Sequence, residues 1–225
     1  MEVQTCDIRK AITPLRLVFW GGIICVLDLR INGFDILNDI LGAILIACGV
    51  FGLGDLRIPG RYRNAMLFIK IVSVLAIAEA INAHVRYQIP RPASFLLHLY
   101  GIAKMLATVV FCLAMRWLCL AAGLTKSERS WRTTTILFAL IYLAPLGVLH
   151  IVWIICLITN NSFHFNIGPA ILVALIVFFV PLVHLFVSTS RMRKEAAATP
   201  DRTEGPQGVG DHRPTVPPTH HWRSQ

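Results

Sequence analysis

Glu79, Lys104 and His150 stand inside long apolar stretches of the chain, "LAIAEAINAHV", "GIAKMLATVV" and "PLGVLHIVWII". A carboxylate, an ammonium and an imidazole can pair as ions, exchange protons or hold a charged solute. Each is costly in a low-dielectric setting unless it is paired or faces a cavity. Asn82 and Arg86 follow Glu79 three and seven residues on, a spacing that lines one stripe of a helix. His98 precedes Lys104 by six residues and reads as roughly the same side of its helix. If the apolar stretches are membrane-crossing helices, Glu79 lies about 9 Å and Lys104 about 13 Å inside the outer ends of theirs, with His150 at a comparable depth. The expected arrangement is a Glu79–Lys104 salt bridge within a candidate intramembrane polar site of Glu79, Lys104, His150, Asn82 and His98.

A second cluster is acidic. In "CVLDLRINGFDILNDILG", Asp28, Asp35 and Asp39 fall at a turn between two apolar runs. Carboxylates suit the positive end of a helix dipole, so Asp35 is expected to cap the second helix. Asn38 or Asp39 would serve its first-turn N–H groups, and Arg30 would be the local counter-charge. On this reading the cluster marks the outer face, and a polar path descends from it to the Glu79, Lys104 and His150 level.

These residues need membrane-crossing elements to position them, and the composition supplies such elements. Of 225 residues, 56% are hydrophobic and 15% charged, with the charges clustered between apolar runs. Mean hydropathy is +0.65. That balance belongs to the membrane class. Crossing about 30 Å of hydrocarbon takes roughly 20 helical residues, and six segments come close to or exceed that length: 15–31, 36–54, 65–85, 95–116, 134–158 and 168–187. The predicted fold is therefore an all-α bundle of six transmembrane helices with short loops, residues 1–190. A Pro-, Gly- and Thr-rich segment, 191–225, reads as a disordered cytoplasmic tail. The first apolar run lacks a small-residue cleavage site and leads straight into the second, so it is expected to be retained.

Basic residues set the orientation. Arg9, Lys10, Arg16, Arg57, Arg61, Arg63, Lys126, Arg129, Arg132, Arg191, Arg193 and Lys194 fall on one side of a six-span layout, against Arg30, Arg86 and Arg91 on the other. Positive residues in short loops stay cytoplasmic, which puts both termini inside. The net charge of +9 is thereby assigned to topology rather than to nucleic-acid binding. Lys70 and His184 fall nearer the inner surface, where a lysine can snorkel.

Within the segments, Pro145 with Gly147, and Pro181, interrupt the fifth and sixth runs, as proline removes a backbone donor and bends a helix. The small residues Gly42, Ala43, Ala47, Gly49 and Gly52 would let the second helix approach a neighbour closely, and place it centrally. Cys25, Cys48, Cys112, Cys119 and Cys156 lie in the proposed spans without a C-x-x-C pair, and read as small hydrophobes. His212, His220 and His221 lack metal-ligand spacing. No phosphate-binding loop, H-E-x-x-H or G-x-S-x-G occurs, so no cofactor, metal or catalytic set is assigned.

Three function classes follow. A small-solute or ion carrier would line a cavity with Glu79, Lys104 and His150. A non-catalytic scaffold or accessory subunit would close those groups off by packing and offer a surface to a second copy or another membrane protein. A membrane-embedded enzyme would need a reacting pair, for which Glu79 and His150 are the acid/base candidates.

The stretch "DLRINGFDILNDILGAILIACG" resembles a group of small uncharacterised bacterial integral membrane proteins. In these a first span leads through an "N/G-G-F/I-D/N" turn into an "ILPDFIGYILI"-like second span. The resemblance covers about Leu15 to Gly54, with Asn38 where the pattern has proline and Ala43 where it often has an aromatic. It implies a bacterial inner-membrane location and carries no activity.

Overall fold

The computed structural model describes residues 8–26, 30–31, 34–35, 39–56, 58, 60–85, 91–159 and 170–198. Its helices are α1 Arg9–Val26, α2 Asp39–Gly54, α3 Arg61–Val85, α4 Arg91–Ala121, α5 Thr125–Leu137, α6 Ala144–Thr159 and α7 Ala170–Ala198, with a π-helical segment Phe138–Leu143 joining α5 to α6. Two two-residue strands, β1 Arg30–Ile31 and β2 Phe34–Asp35, pair antiparallel between α1 and α2.

Apart from β1 and β2 the described residues are helical, and among them four helical stretches are long and apolar enough to cross a membrane: Arg61–Ile81, Phe95–Ala121, Thr125–Thr159 and Ile176–Ala198. The first two segments of the expected six are shorter. α2 is apolar but has 16 residues, and α1 has 18, with Arg9, Lys10 and Arg16 among them. The outward faces are apolar: Leu140, Ile158 and Ile176 are 66%, 71% and 67% exposed. A surface this rich in exposed aliphatics suits lipid and would associate in water.

α1 and α2 form the tightest hairpin, and glycines permit it. A Cβ on Gly49 would lie 2.5 Å from the Pro14 carbonyl oxygen and 2.8 Å from the Val18 nitrogen, and one on Gly42 would lie 2.9 Å from the Gly21 oxygen. The small-residue face of α2 therefore meets the backbone of α1. Below this contact Ile8, Ala11 and Leu15 join Val50, Leu53, Tyr62 and Met66 in the core. That burial is why α1 starts at Arg9, ahead of the expected 15. The Tyr62 hydroxyl donates to the Leu53 carbonyl at 2.7 Å, satisfying one of the last orphan carbonyls of α2.

The joint between α4 and α5 is a three-residue turn. Gly123 has φ +72°, a left-handed value that favours glycine. The Leu124 N–H reaches the Cys119 carbonyl at 2.9 Å and the Gly123 N–H reaches Leu120 at 3.2 Å, the double bond of a Schellman stop. Lys126, Arg129 and Arg132, expected ahead of the fifth span, are instead turns of α5. One continuous helix runs over Thr125–Thr159. Pro145 does not break it. The proline ring cannot accept the usual register with the carbonyl four residues back, and the preceding turn widens into the π-helical Phe138–Leu143. Pro181 likewise sits inside an unbroken α7.

α7 reaches Ala198, so residues 191–198 of the expected tail are helical. Met192 and Ala196 are buried. Glu195 accepts the Ser127 N–H at 2.8 Å, the Ser127 hydroxyl at 2.5 Å and the Lys126 N–H at 3.2 Å. It thus caps α5, whose own N-cap residue, Leu124, makes no side-chain cap bond. Residues 199–225, with His212, His220 and His221, lie outside the described residues. Replacing Glu195 with alanine is expected to lower stability by about 1–2 kcal/mol, the size of a lost cap. Thermal unfolding of the purified protein checks this. A chain ended after Ala198 keeps the cap, whereas one ended before Glu195 loses it.

Candidate functional site

The ion pair expected between α3 and α4 is present. Lys104 Nζ lies 2.6 Å from Glu79 Oε2, with the side chains 49% and 34% exposed. Lys104 also lies 5.5 Å from the centroid of the Tyr100 ring, one turn earlier on α4, and the Tyr100 hydroxyl donates to the Val72 carbonyl at 3.4 Å. One face of α4 is thus turned to α3 by Tyr100 and Lys104 together.

His98 and His150 form a second pair, between α4 and α6. Their Nδ1 atoms are 3.1 Å apart. His98 stacks on Trp153 with centroids 5.8 Å apart and planes 14° apart. Gly101 supplies the room: a Cβ there would come within 2.8 Å of His150 Cε1. His98 was expected roughly on the Lys104 side of its helix. Six residues at 3.6 per turn rotate by about 600°, or about 120° off alignment. Lys104 consequently serves α3 while His98 serves α6. Glu79 pairs with Lys104, and His150 with His98.

Of the expected acidic cluster, Asp39 is the residue whose side chain is described. Asp39 is the first residue of α2, and the Cys25 thiol donates to its carbonyl at 3.8 Å. That thiol is near enough to Asp39, Lys104 and Glu79 to interact electrostatically with all three. The ends of α1 and α2 therefore lie beside the α3–α4 ion pair. The backbone of Asp35 belongs to β2, in register with Arg30 of β1; its expected capping of α2 falls on a side chain outside the described residues. Asp28, Asn38 and Arg86 lie outside the described residues, as does the side chain of Asn82 on α3.

A third polar cluster, at the opposite end of the bundle, escaped the sequence reading. Ser130 and Ser188 hydroxyls are 2.8 Å apart, Thr134 and Ser188 2.7 Å, and Thr134 Oγ1 and His184 Nδ1 2.9 Å. With Glu195 on Ser127, these bonds step along α5 and α7 as an antiparallel polar seam. Ser127, Ser130, Thr134 and Ser188 are all buried. Nearby, Arg116 Nε meets Glu128 Oε1 at 2.6 Å. Lys70 reaches across Gly54 to Asp55 at 3.5 Å and lies over the Phe51 ring at 4.9 Å, so it is a paired lysine. Spacings of three and four on α5, and four and seven on α7, were the available signal; polar residues mixed with arginines disguised it as a loop.

Among the described residues, no group of three or more His, Cys, Asp or Glu could hold a metal ion. Cys112 and Cys119 are buried and Cys48 is exposed. The site thus consists of a charged pair and an imidazole pair from α3, α4 and α6, with Asp39 and Cys25 beside them. Such groups can bind a charged solute or pass protons. No family model, curated protein or solved structure matches the chain.

Proposed function

We propose that the chain is a multi-pass membrane protein of six spans with both termini cytoplasmic. In this reading the Glu79–Lys104 and His98–His150 pairs are the polar centre of a small-solute or ion permease. The observation that carries the permease reading is the contrast between the two polar clusters. The α5–α7 seam is sealed, with Ser127, Thr134 and Ser188 at 0% exposure, as a structural lock should be. The Glu79–Lys104 pair is left 34% and 49% open amid apolar helices. Ionised groups open at that depth are tolerated where they face a water-filled path.

The scaffold reading assigns the same opening to a partner helix, and the two differ in consequence. Purified full chain in liposomes should carry ions or small charged solutes faster than protein-free vesicles do. Equal leakage across a panel of ions and solutes would leave the scaffold reading in place. A bacterial inner-membrane location rests on the likeness of the "NGFD" turn to that of the bacterial group. The six-span layout is checked by alkaline phosphatase fusions, expected inactive after Ile58, Gly123 and Gln225 and active after Gln88 and Asn161. Activity at Gln225 would reverse or refute it.

A further inference from the structure

We propose that His98 and His150 form one proton-binding site, sharing a single exchangeable proton, and that protons are the ion this protein moves or is driven by. The second half rests on the permease reading. Two imidazole nitrogens 3.1 Å apart attract only when one carries hydrogen and the other a lone pair. The neutral pair therefore has one ring donating through Nδ1–H and the other accepting at Nδ1. A first added proton goes to the free Nε2 of the donor ring and makes an imidazolium whose Nδ1–H···Nδ1 bond is charge-assisted and stronger. A second would have to enter the accepting Nδ1, setting two N–H groups head to head and ending the bond. The pair thus stores one proton and refuses the next.

The same geometry relays. A proton taken up at the donor Nε2 lets the bridging hydrogen shift to the acceptor Nδ1, and the acceptor ring releases its own Nε2 proton. One proton enters, one leaves, and the rings have exchanged tautomers.

One neighbour favours a transient cation. His98 lies face to face with Trp153 at 5.8 Å, within the range at which an indole attracts a cation. Of the charged groups around the pair, Lys104 on α4 is neutralised by Glu79 on α3 at 2.6 Å. Tyr100 on α4 is turned to α3, its hydroxyl on the Val72 carbonyl. The π-helical segment offers Tyr142, whose ring packs on Phe178, and α6 offers Cys156. The nearest charge on α5, Arg132, is about 27 Å away along the continuous helix. Gly101 sets the spacing, since any side chain there would displace His150.

The test uses the full chain labelled with 15N-histidine in lipid. A scalar coupling between the two Nδ1 nuclei is expected at neutral pH and absent in His98→Gln. On acidification the pair should take up one proton rather than two, since the second would set two N–H groups head to head. In liposomes carrying an internal pH dye, His150→Gln should slow gradient-driven proton entry on the order of 10²-fold, the size of a lost positioned proton-transfer group. Absence of the coupling, with both rings titrating independently, overturns the shared proton whatever the variants do. Solute flux that ignores the pH gradient and survives His150→Gln overturns the proton role while leaving the permease reading intact. No flux of any kind in the wild type, with the coupling present, overturns the permease reading and the coupling-ion role together but not the binding site.

Discussion

Replacing Lys104 with methionine is expected to destabilise the purified protein by about 1–2 kcal/mol, below the ~2.5–3.5 kcal/mol of an uncompensated charge at the centre of a span because the pair is a third to a half open. Replacing Glu79 with leucine should do the same from the other side. Each single change removes one end of the 2.6 Å pair and strands the other end among apolar helices. The double variant should recover most of the loss, because two apolar side chains of similar size leave no charge to solvate. Chemical denaturation of the four proteins in one detergent gives the cycle. Additive losses of under about 0.5 kcal/mol each would mean that the side chains do not interact.

Gly49→Ala is the second large effect. The new methyl group would stand 2.5 Å from the Pro14 oxygen and 2.8 Å from the Val18 nitrogen. Both are backbone atoms of α1, so α1 and α2 must move apart as units, and overpacking of this kind costs about 1–3 kcal/mol. Gly22→Ala is the matched control. A Cβ there meets nothing within 4 Å, and alanine is favoured over glycine in a helix by about 1 kcal/mol, so that change should be neutral or stabilising. Melting temperatures that fall equally for both would show that the hairpin is not held by close backbone contact.

The parts of the fold that were legible depended on local pattern. Apolar run length marked α3, α4 and α7, and the stripe Gly42, Ala43, Ala47 and Gly49 marked a face that the structure buries. Glu79 and Lys104 could be paired from depth alone, because charges at one level on helices joined by a short connection have few other partners. His98 and His150 could not. Their meeting depends on the rotation of α4 about its axis and on the room left by Gly101, and neither is encoded in spacing within one helix. The cap that Glu195 places on Ser127 spans 68 residues of sequence, so composition classed the end of α7 with the tail. The segment "TKSERSWRTTT" looked like a polar loop because the partners of Ser127, Ser130 and Thr134 lie on α7, more than 50 residues away in sequence. Pro145 looked like a break because sequence shows the missing donor but not the π-helical turn that absorbs it.

A transport role requires the charged pair to do more than hold α3 to α4, and stability and flux can be separated in one protein. The double variant, Glu79→Leu with Lys104→Met, should fold as stably as the wild type. Its rate of ion or charged-solute movement into liposomes, measured beside the wild type at equal protein density, is the decisive quantity. The permease account predicts that movement falls to the level of protein-free vesicles while the fold is retained. A double variant that is fully stable and transports at the wild-type rate would contradict it, and would reduce Glu79 and Lys104 to a packing pair.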